Sequence, residues 1–187
     1  SSQMGAQSWS NGANTPTITV TQNGNYSVTY TDMNGCSGTS NTINVTVNAI
    51  PNVSVNSAGS TAICQGQTVT LNSTQSTGNS WNNGGTGNSI TVGTAGNYFT
   101  TFTDANGCSN TSNVVTVEVN ALPQVSISAN GNTSFCTGGS VTLTSNQSNG
   151  NNWSNNSTGN TIEVNSSGNY FSVVTDDNGC QNTSNTI

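Results

Sequence analysis

The chain has 187 residues, six carboxylates, no lysine, arginine or histidine, and a formal net charge of −6. Nucleic-acid binding needs cations against phosphates, an anionic membrane surface repels an acidic chain, and a Ser or Thr nucleophile has no basic side chain here to activate it. The composition therefore argues against a nucleic-acid partner, membrane insertion and an enzyme, and leaves a surface made of Ser, Thr, Asn, Gln and Gly.

Taken from the N-terminus, the chain repeats itself every 72 residues without an insertion. Trp9, Trp81 and Trp153 share one phase. Gly24-Asn25-Tyr26, Gly96-Asn97-Tyr98 and Gly168-Asn169-Tyr170 share another, and Asp32, Asp104 and Asp176 each open an Asp-x-Asn-Gly-Cys run. A fixed period of this kind is the signature of an array. It predicts three modules: residues 1–49, lacking the start of the unit; 50–121, complete; and 122–187, lacking its end. The segment is expected to be a window on a longer chain.

Within the complete copy, short runs alternate apolar and polar residues, as half-buried strands do. They are Val53 to Val55, Val69 to Leu71, a short strand at Trp81, Ile90 to Val92, Tyr98 to Thr103 and Val115 to Val119. Asn, Gly and Ser between them favour turns, and nothing reads as a helix. Disorder is the rival for so polar a chain, but the alternation favours folded β structure. Some seven strands, with a tryptophan in an early-middle strand and a tyrosine opening the penultimate one, predict tandem immunoglobulin-like β-sandwiches arranged as a rod. The linkers Ala49-Ile50-Pro51 and Ala121-Leu122-Pro123 carry prolines that fix φ and extend the preceding residue.

The five cysteines keep the same period, with Cys36, Cys108 and Cys180 in one phase and Cys64 and Cys136 in the other. The expected pairs are Cys64 with Cys108 and Cys136 with Cys180. Cys36 is left unpaired, its partner falling upstream of Ser1. No CxxC or histidine supports zinc. Disulfides imply an oxidising, extracellular location, and a module of about 70 residues gains from a cross-link because it is near the lower size limit for independent folding.

Trp9, Trp81 and Trp153 are expected to anchor cores, with a sugar-stacking platform beside the Asn82-Asn83-Gly84-Gly85 loop as the rival. Tyr26, Tyr98 and Tyr170 resemble tyrosine corners. Asp32, Asp104 and Asp176 read as hairpin turns; a calcium loop is the alternative, but no Glu stands twelve residues on. If Tyr98, Thr100 and Phe102 face the core, Phe99 and its equivalent Phe171 point outward as contact candidates. No other cofactor is implied.

The pattern Phe135-Cys136-x-Gly-Gly-Ser-Val141-Thr142-Leu143, with Trp153-Ser154-Asn155, Thr161-Ile162-x-Val164, Ser167-Gly168-Asn169-Tyr170 and Asp176-x-Asn-Gly-Cys180, resembles the tandem Ig-like modules of large secreted and surface proteins of Bacteroidetes. The resemblance covers the whole chain. It implies the stalk of a type IX secreted adhesin or gliding-motility filament at the cell surface, with neighbouring repeats or filament subunits as partners. The competing expectations are an array that binds surface polysaccharide through Trp and Asn-rich loops, and a subunit of a donor-strand filament.

Overall fold

In the computed structural model, which describes residues 5–187, all regular structure is β. With no helix among the described residues, none is long and apolar enough to cross a membrane. The chain divides into two compact units, one formed by the chain up to Pro51 together with Asp104–Ser109, the other by Asn52–Thr103 and Asn110–Ile187.

The first unit carries β1 (Ala6–Trp9), β2 (Gly24–Tyr26), β3 (Val28–Thr31), β4 (Ser37–Thr39) and β5 (Ile43–Val45). They form a three-stranded sheet in the order β1-β3-β4 and a two-stranded sheet in which β2 pairs antiparallel with β5. Thr29 and Thr39 join hydroxyls across the larger sheet at 3.0 Å, a cross-strand pair of the kind that stabilises sheets.

The second unit has two separate cores. The first is built from β6 (Val55–Ser57), β7 (Ala62–Cys64), β8 (Val69–Ser73), β9 (Asn79–Trp81), β10 (Ser89–Val92), β11 (Gly96–Tyr98), β12 (Thr100–Thr103), β13 (Ser109–Thr111) and β14 (Val115–Asn120). Its sheets run β6-β8-β10, β9-β12-β13 and β7-β14-β11. Val55, Val69, Leu71 and Val92 from the first sheet bury with Trp81, Tyr98, Val117 and Ile63 from the other two. The alternation of each strand drives this layering, since period-2 side chains put all the apolar groups on one face.

The expected strands from Val69 onward occur, β6 shares only Val55 with the run expected from Val53 to Val55, and two more appear: β7 and β13, which lack an alternating apolar pattern of their own. The single run expected from Tyr98 to Thr103 is broken at Phe99. β11 pairs with β14, whereas β12 pairs with β9, so the chain changes sheets there. The Asn82 side chain holds the crossing by accepting the Phe99 N–H at 3.1 Å. Tyr98 and Thr100 stay buried on either side.

The second core uses β15 (Ile127–Ala129), β16 (Val141–Ser145), β17 (Asn151–Trp153), β18 (Thr161–Val164), β19 (Ser172–Thr175) and β20 (Gln181–Thr183). The sheets are β15-β16-β18 and β17-β19-β20. They enclose Ile127, Val141, Leu143, Trp153, Ile162 and Val164. The expected boundary between residues 121 and 122 thus falls between two cores of one compact unit.

Candidate functional site

Each tryptophan is tied down in the same way. The indole N–H of Trp9 donates to the Thr15 carbonyl, that of Trp81 to Gly87 and that of Trp153 to Gly159, all at 2.9 Å. Trp81 and Trp153 are buried and Trp9 is half-buried, so the two buried rings have no open face on which a sugar could stack. The loop after Trp81 closes as a tight turn with Gly84 at φ +89, and Asn156 takes the same place after Trp153 at φ +65. Asn is among the few residues that tolerate that region. The tyrosine hydroxyls donate to carbonyls four residues back, Tyr26 to Gln22 at 3.1 Å, Tyr98 to Thr94 and Tyr170 to Ser166 at 3.0 Å. In the first two copies they lock the entry to the strand.

The three aspartates build identical turns. Oδ1 of Asp32 accepts the backbone N–H of Asn34 at 2.8 Å and of Cys36 at 2.9 Å; Asp104 and Asp176 do the same for residues two and four ahead. Gly35, Gly107 and Gly179 sit at positive φ in these turns. A carboxylate oxygen already taking two N–H groups is a turn former, and among the described residues no cluster of three His, Cys, Asp or Glu could hold a metal ion.

The cysteines depart from expectation. Cys64 is bridged to Cys180, with Cα atoms 5.5 Å apart, while Cys36, Cys108 and Cys136 are free. The expected pairs Cys64 with Cys108 and Cys136 with Cys180 are both replaced. Strand direction explains why. β7 runs parallel to β14, and Cys64 lies opposite Asn120 at the end from which the chain leaves for Leu122. β11 runs antiparallel to β14 and continues through β12 away from that end. Cys64 thus stands at the end of its core that leads to the next one, where the Asp176–Cys180 turn brings Cys180 against it. A cavity of about 340 Å³ beside the bridge is lined by Cys64, Gln65, Gly66, Leu122, Gly179 and Gln181, and the Asn182 side chain donates to the Pro123 carbonyl at 3.0 Å. The bridge ties the end of one core to the head of the next.

Sequence reasoning missed a second device. The Asn113 side chain both accepts from the Val55 N–H at 2.9 Å and donates to the Val55 carbonyl at 3.0 Å. Asn185 does the same for Ile127 at 2.9 and 3.1 Å. An amide that presents one donor and one acceptor imitates a neighbouring strand and satisfies the edge of β6 and of β15. The recurrence of Asn at this phase was its one sequence signal. Phe99 and Phe171, expected to project outward, are half-buried, and their backbone N–H groups donate to the side chains of Asn82 and Ser154. The exposed large apolar residues among those described are Tyr30, Met33, Ile43, Val47, Ile50, Val114 and Phe135.

Phe135 opens onto a concavity in the second unit. It has a volume of about 600 Å³ and runs between residues 133–138 and 165–170, with Val141, Leu143 and Val164 below and Ile187 at one end. Ile187 and Tyr170 exchange backbone hydrogen bonds at 2.8 and 2.9 Å, which fixes the direction of the groove.

No protein-family model matches the chain, and neither does any curated protein. Among solved structures it is similar to the human OSCAR ligand-binding domain, at 13% identity over 75% of this chain and 99% of that one, with a TM-score of 0.32. Agreement at that level carries no argument about fold or function, and the all-β assignment rests on the strands and registers themselves.

Proposed function

We propose that this chain is part of the shaft of an extracellular surface adhesin or filament, built from immunoglobulin-like modules at the 72-residue period and set end to end as a rod. The observation that carries the reading is the Cys64–Cys180 bridge, which ties two separate cores instead of closing a loop within one. A cross-link placed there resists separation of neighbours under tension, which is what a load-bearing shaft needs. It also suits an oxidising compartment outside the cytoplasm. Buried tryptophans, aspartates committed to turns and the lack of cationic or imidazole side chains support a structural role over catalysis or sugar capture. The resemblance to Bacteroidetes surface modules supports the same placement and names neighbouring repeats as the partners.

Small-angle scattering tests the reading. Strands of about eight residues at about 3.4 Å each plus a connection give a module spacing of roughly 35 Å, so the pair distribution of the chain is expected to have the long tail of a rod. A compact, near-spherical profile in the oxidised protein would sink it.

A further inference from the structure

The sheet β6-β8-β10 has two edges, and the chain closes one of them itself, where the Asn113 amide takes the Val55 N–H and carbonyl of β6. At the other edge no described strand pairs with the outer side of β10. Its hydrogen-bond phase follows from its neighbours. Ser73 donates its N–H to the Asn88 carbonyl at 2.8 Å, whereas the Thr70 carbonyl accepts from Ala58, on the β6 side, at 2.8 Å. With Ile90 opposite Leu71, Thr91 opposite Thr70 and Val92 opposite Val69, antiparallel alternation assigns the bonds with β8 to Ile90 and Val92. The N–H and C=O groups of Ser89 and Thr91 therefore point away from β8, along the free edge. Both residues are exposed, and Ile90 between them is half-buried.

One period on, the same position is guarded. β18 is also an edge strand, with Glu163 where β10 has Thr91; the Glu163 carboxylate accepts the Ser140 hydroxyl, and Ile162 is buried. A charge on an outermost strand is a common device against edge-to-edge pairing. β10 has neither charge nor proline, its register against β8 is continuous, and Ile, Thr and Val are good strand formers. No carboxylate lies in β6, β8 or β10 or next to their ends. In a chain of net charge −6, two copies can meet along this sheet without setting like charges against each other.

We propose that β10 is a strand-addition site for β10 of a second copy of this chain, the two running antiparallel about a twofold axis at Ile90. Ser89 of each copy then lies opposite Thr91 of the other, and each such pair exchanges both N–H···O=C bonds. Ile90 meets Ile90 of the copy as the intervening close pair, which covers the open part of its side chain. What favours a copy over another strand is the side-chain match: hydroxyl meets hydroxyl on the outer face, isoleucine meets isoleucine on the inner one, and neither side brings a charge. Because one patch serves both partners, the contact closes as a dimer. It is small, and so a transient interface. The site is independent of the shaft reading, since β10 pairs with a copy whether or not the modules within one chain form a rod.

Sedimentation equilibrium over a concentration series up to about 1 mM, the range in which so small an interface is populated, tests it. Cys36, Cys108 and Cys136 are changed to Ser so that thiol exchange plays no part. The parent protein is expected to approach a dimer and no larger species. Its Ser89 and Thr91 amides, read by hydrogen exchange in NMR spectra, are expected to gain protection as the concentration rises. Thr91→Pro removes an outward N–H and spares the ladder to β8, and Thr91→Glu copies the residue that β18 carries at this phase. Each is expected to weaken association about tenfold or more, with the near-UV circular dichroism of the tryptophans unchanged. A parent that stays monomeric overturns the proposal and leaves the edge to a strand of another protein or to none. So does association that runs beyond a dimer, that both variants leave unchanged, or that leaves exchange at Ser89 and Thr91 unaltered, since each of these places the contact on another surface.

Discussion

The two cores of the second unit carry nearly the same residues and differ in one element: β14 covers the first, whereas in the second the same phase is represented by Ile187 alone. Around Trp81, β14 is in place. Ile63 is then 6% exposed, and Ala62–Cys64 and Gly96–Tyr98 are both strands. Around Trp153, the equivalent Phe135 is 37% exposed and neither Ser134-Phe135-Cys136 nor Gly168-Asn169-Tyr170 is a strand. Gly-Asn-Tyr is identical in the two places and is again a strand in β2, where β5 pairs with it. Strand formation there is a property of the partner, not of the tripeptide, in keeping with the dependence of β propensity on context.

The strongest way to break the contrast is to make the closed core resemble the open one. Val117→Asp puts a carboxylate where no side chain can pair with it, and is expected to cost about 4 kcal/mol or more. Hydrogen exchange read by mass spectrometry should lose protection through residues 53–119 and keep it through 141–175. Equal loss in both stretches would mean that the two cores unfold as one and that their difference is superficial.

That partner dependence also marks what the sequence could disclose. The aromatic phases at Trp81 and Tyr98 were legible because a large side chain recurring beside alternating aliphatics has few roles other than filling a core. β7 and β13 were not, since Ala62-Ile63-Cys64 and Ser109-Asn110-Thr111 have no pattern and become strands only against β14 and β12. The sheet change at Phe99 was hidden by an alternation that runs through it unbroken. The cysteine period gave phases but not partners, because only the direction of β7 relative to β14 decides which end of the core Cys64 occupies. Asn113 and Asn185 were lost among many other asparagines, since a hydrogen bond to a strand edge leaves no hydrophobic mark.

The bridge between the cores offers the next largest effect. With Cys64 and Cys180 both changed to Ser, the tie is lost, and a cross-link closing so long a loop contributes on the order of 3–4 kcal/mol when its geometry is unstrained. The transition is expected to fall in temperature and to split as the two cores unfold separately, visible in differential scanning calorimetry. A single unshifted transition would show that the bridge joins parts that already hold together without it.

A matched pair of deletions sharpens the comparison. Leu71 and Leu143 are both fully buried at the same phase, but Leu143 also floors the groove. The cost of Leu to Ala depends on the cavity left behind. At Leu71 the cavity is sealed, and about 3–4 kcal/mol is expected; at Leu143 it merges with space that already admits solvent, and about 1 kcal/mol less is expected. Chemical denaturation of each variant measures both. Equal costs would mean that the groove floor is packed as tightly as the closed core.

The smallest effect concerns a polar atom on which the two cores also differ. Ser172 Oγ donates to Asn151 Oδ1 at 3.0 Å. At the equivalent position Thr100 is fully buried and its Oγ1 has no hydrogen-bond partner, because the acceptor it would use, Asn79 Oδ1, takes the Ser73 hydroxyl at 2.7 Å instead. A buried hydroxyl without a partner loses its hydration for no return. Thr100→Val keeps the shape and the β-branch that suit a strand, removes the orphaned oxygen, and is expected to stabilise the closed core by about 0.5–1 kcal/mol. Ser172→Ala breaks a bond that is made, strands Asn151 Oδ1 in a buried site, and is expected to destabilise the open core by about 1 kcal/mol. The opposite signs are the test: if Thr100→Val also destabilises, its hydroxyl has a partner in solution, and the two cores treat this position alike.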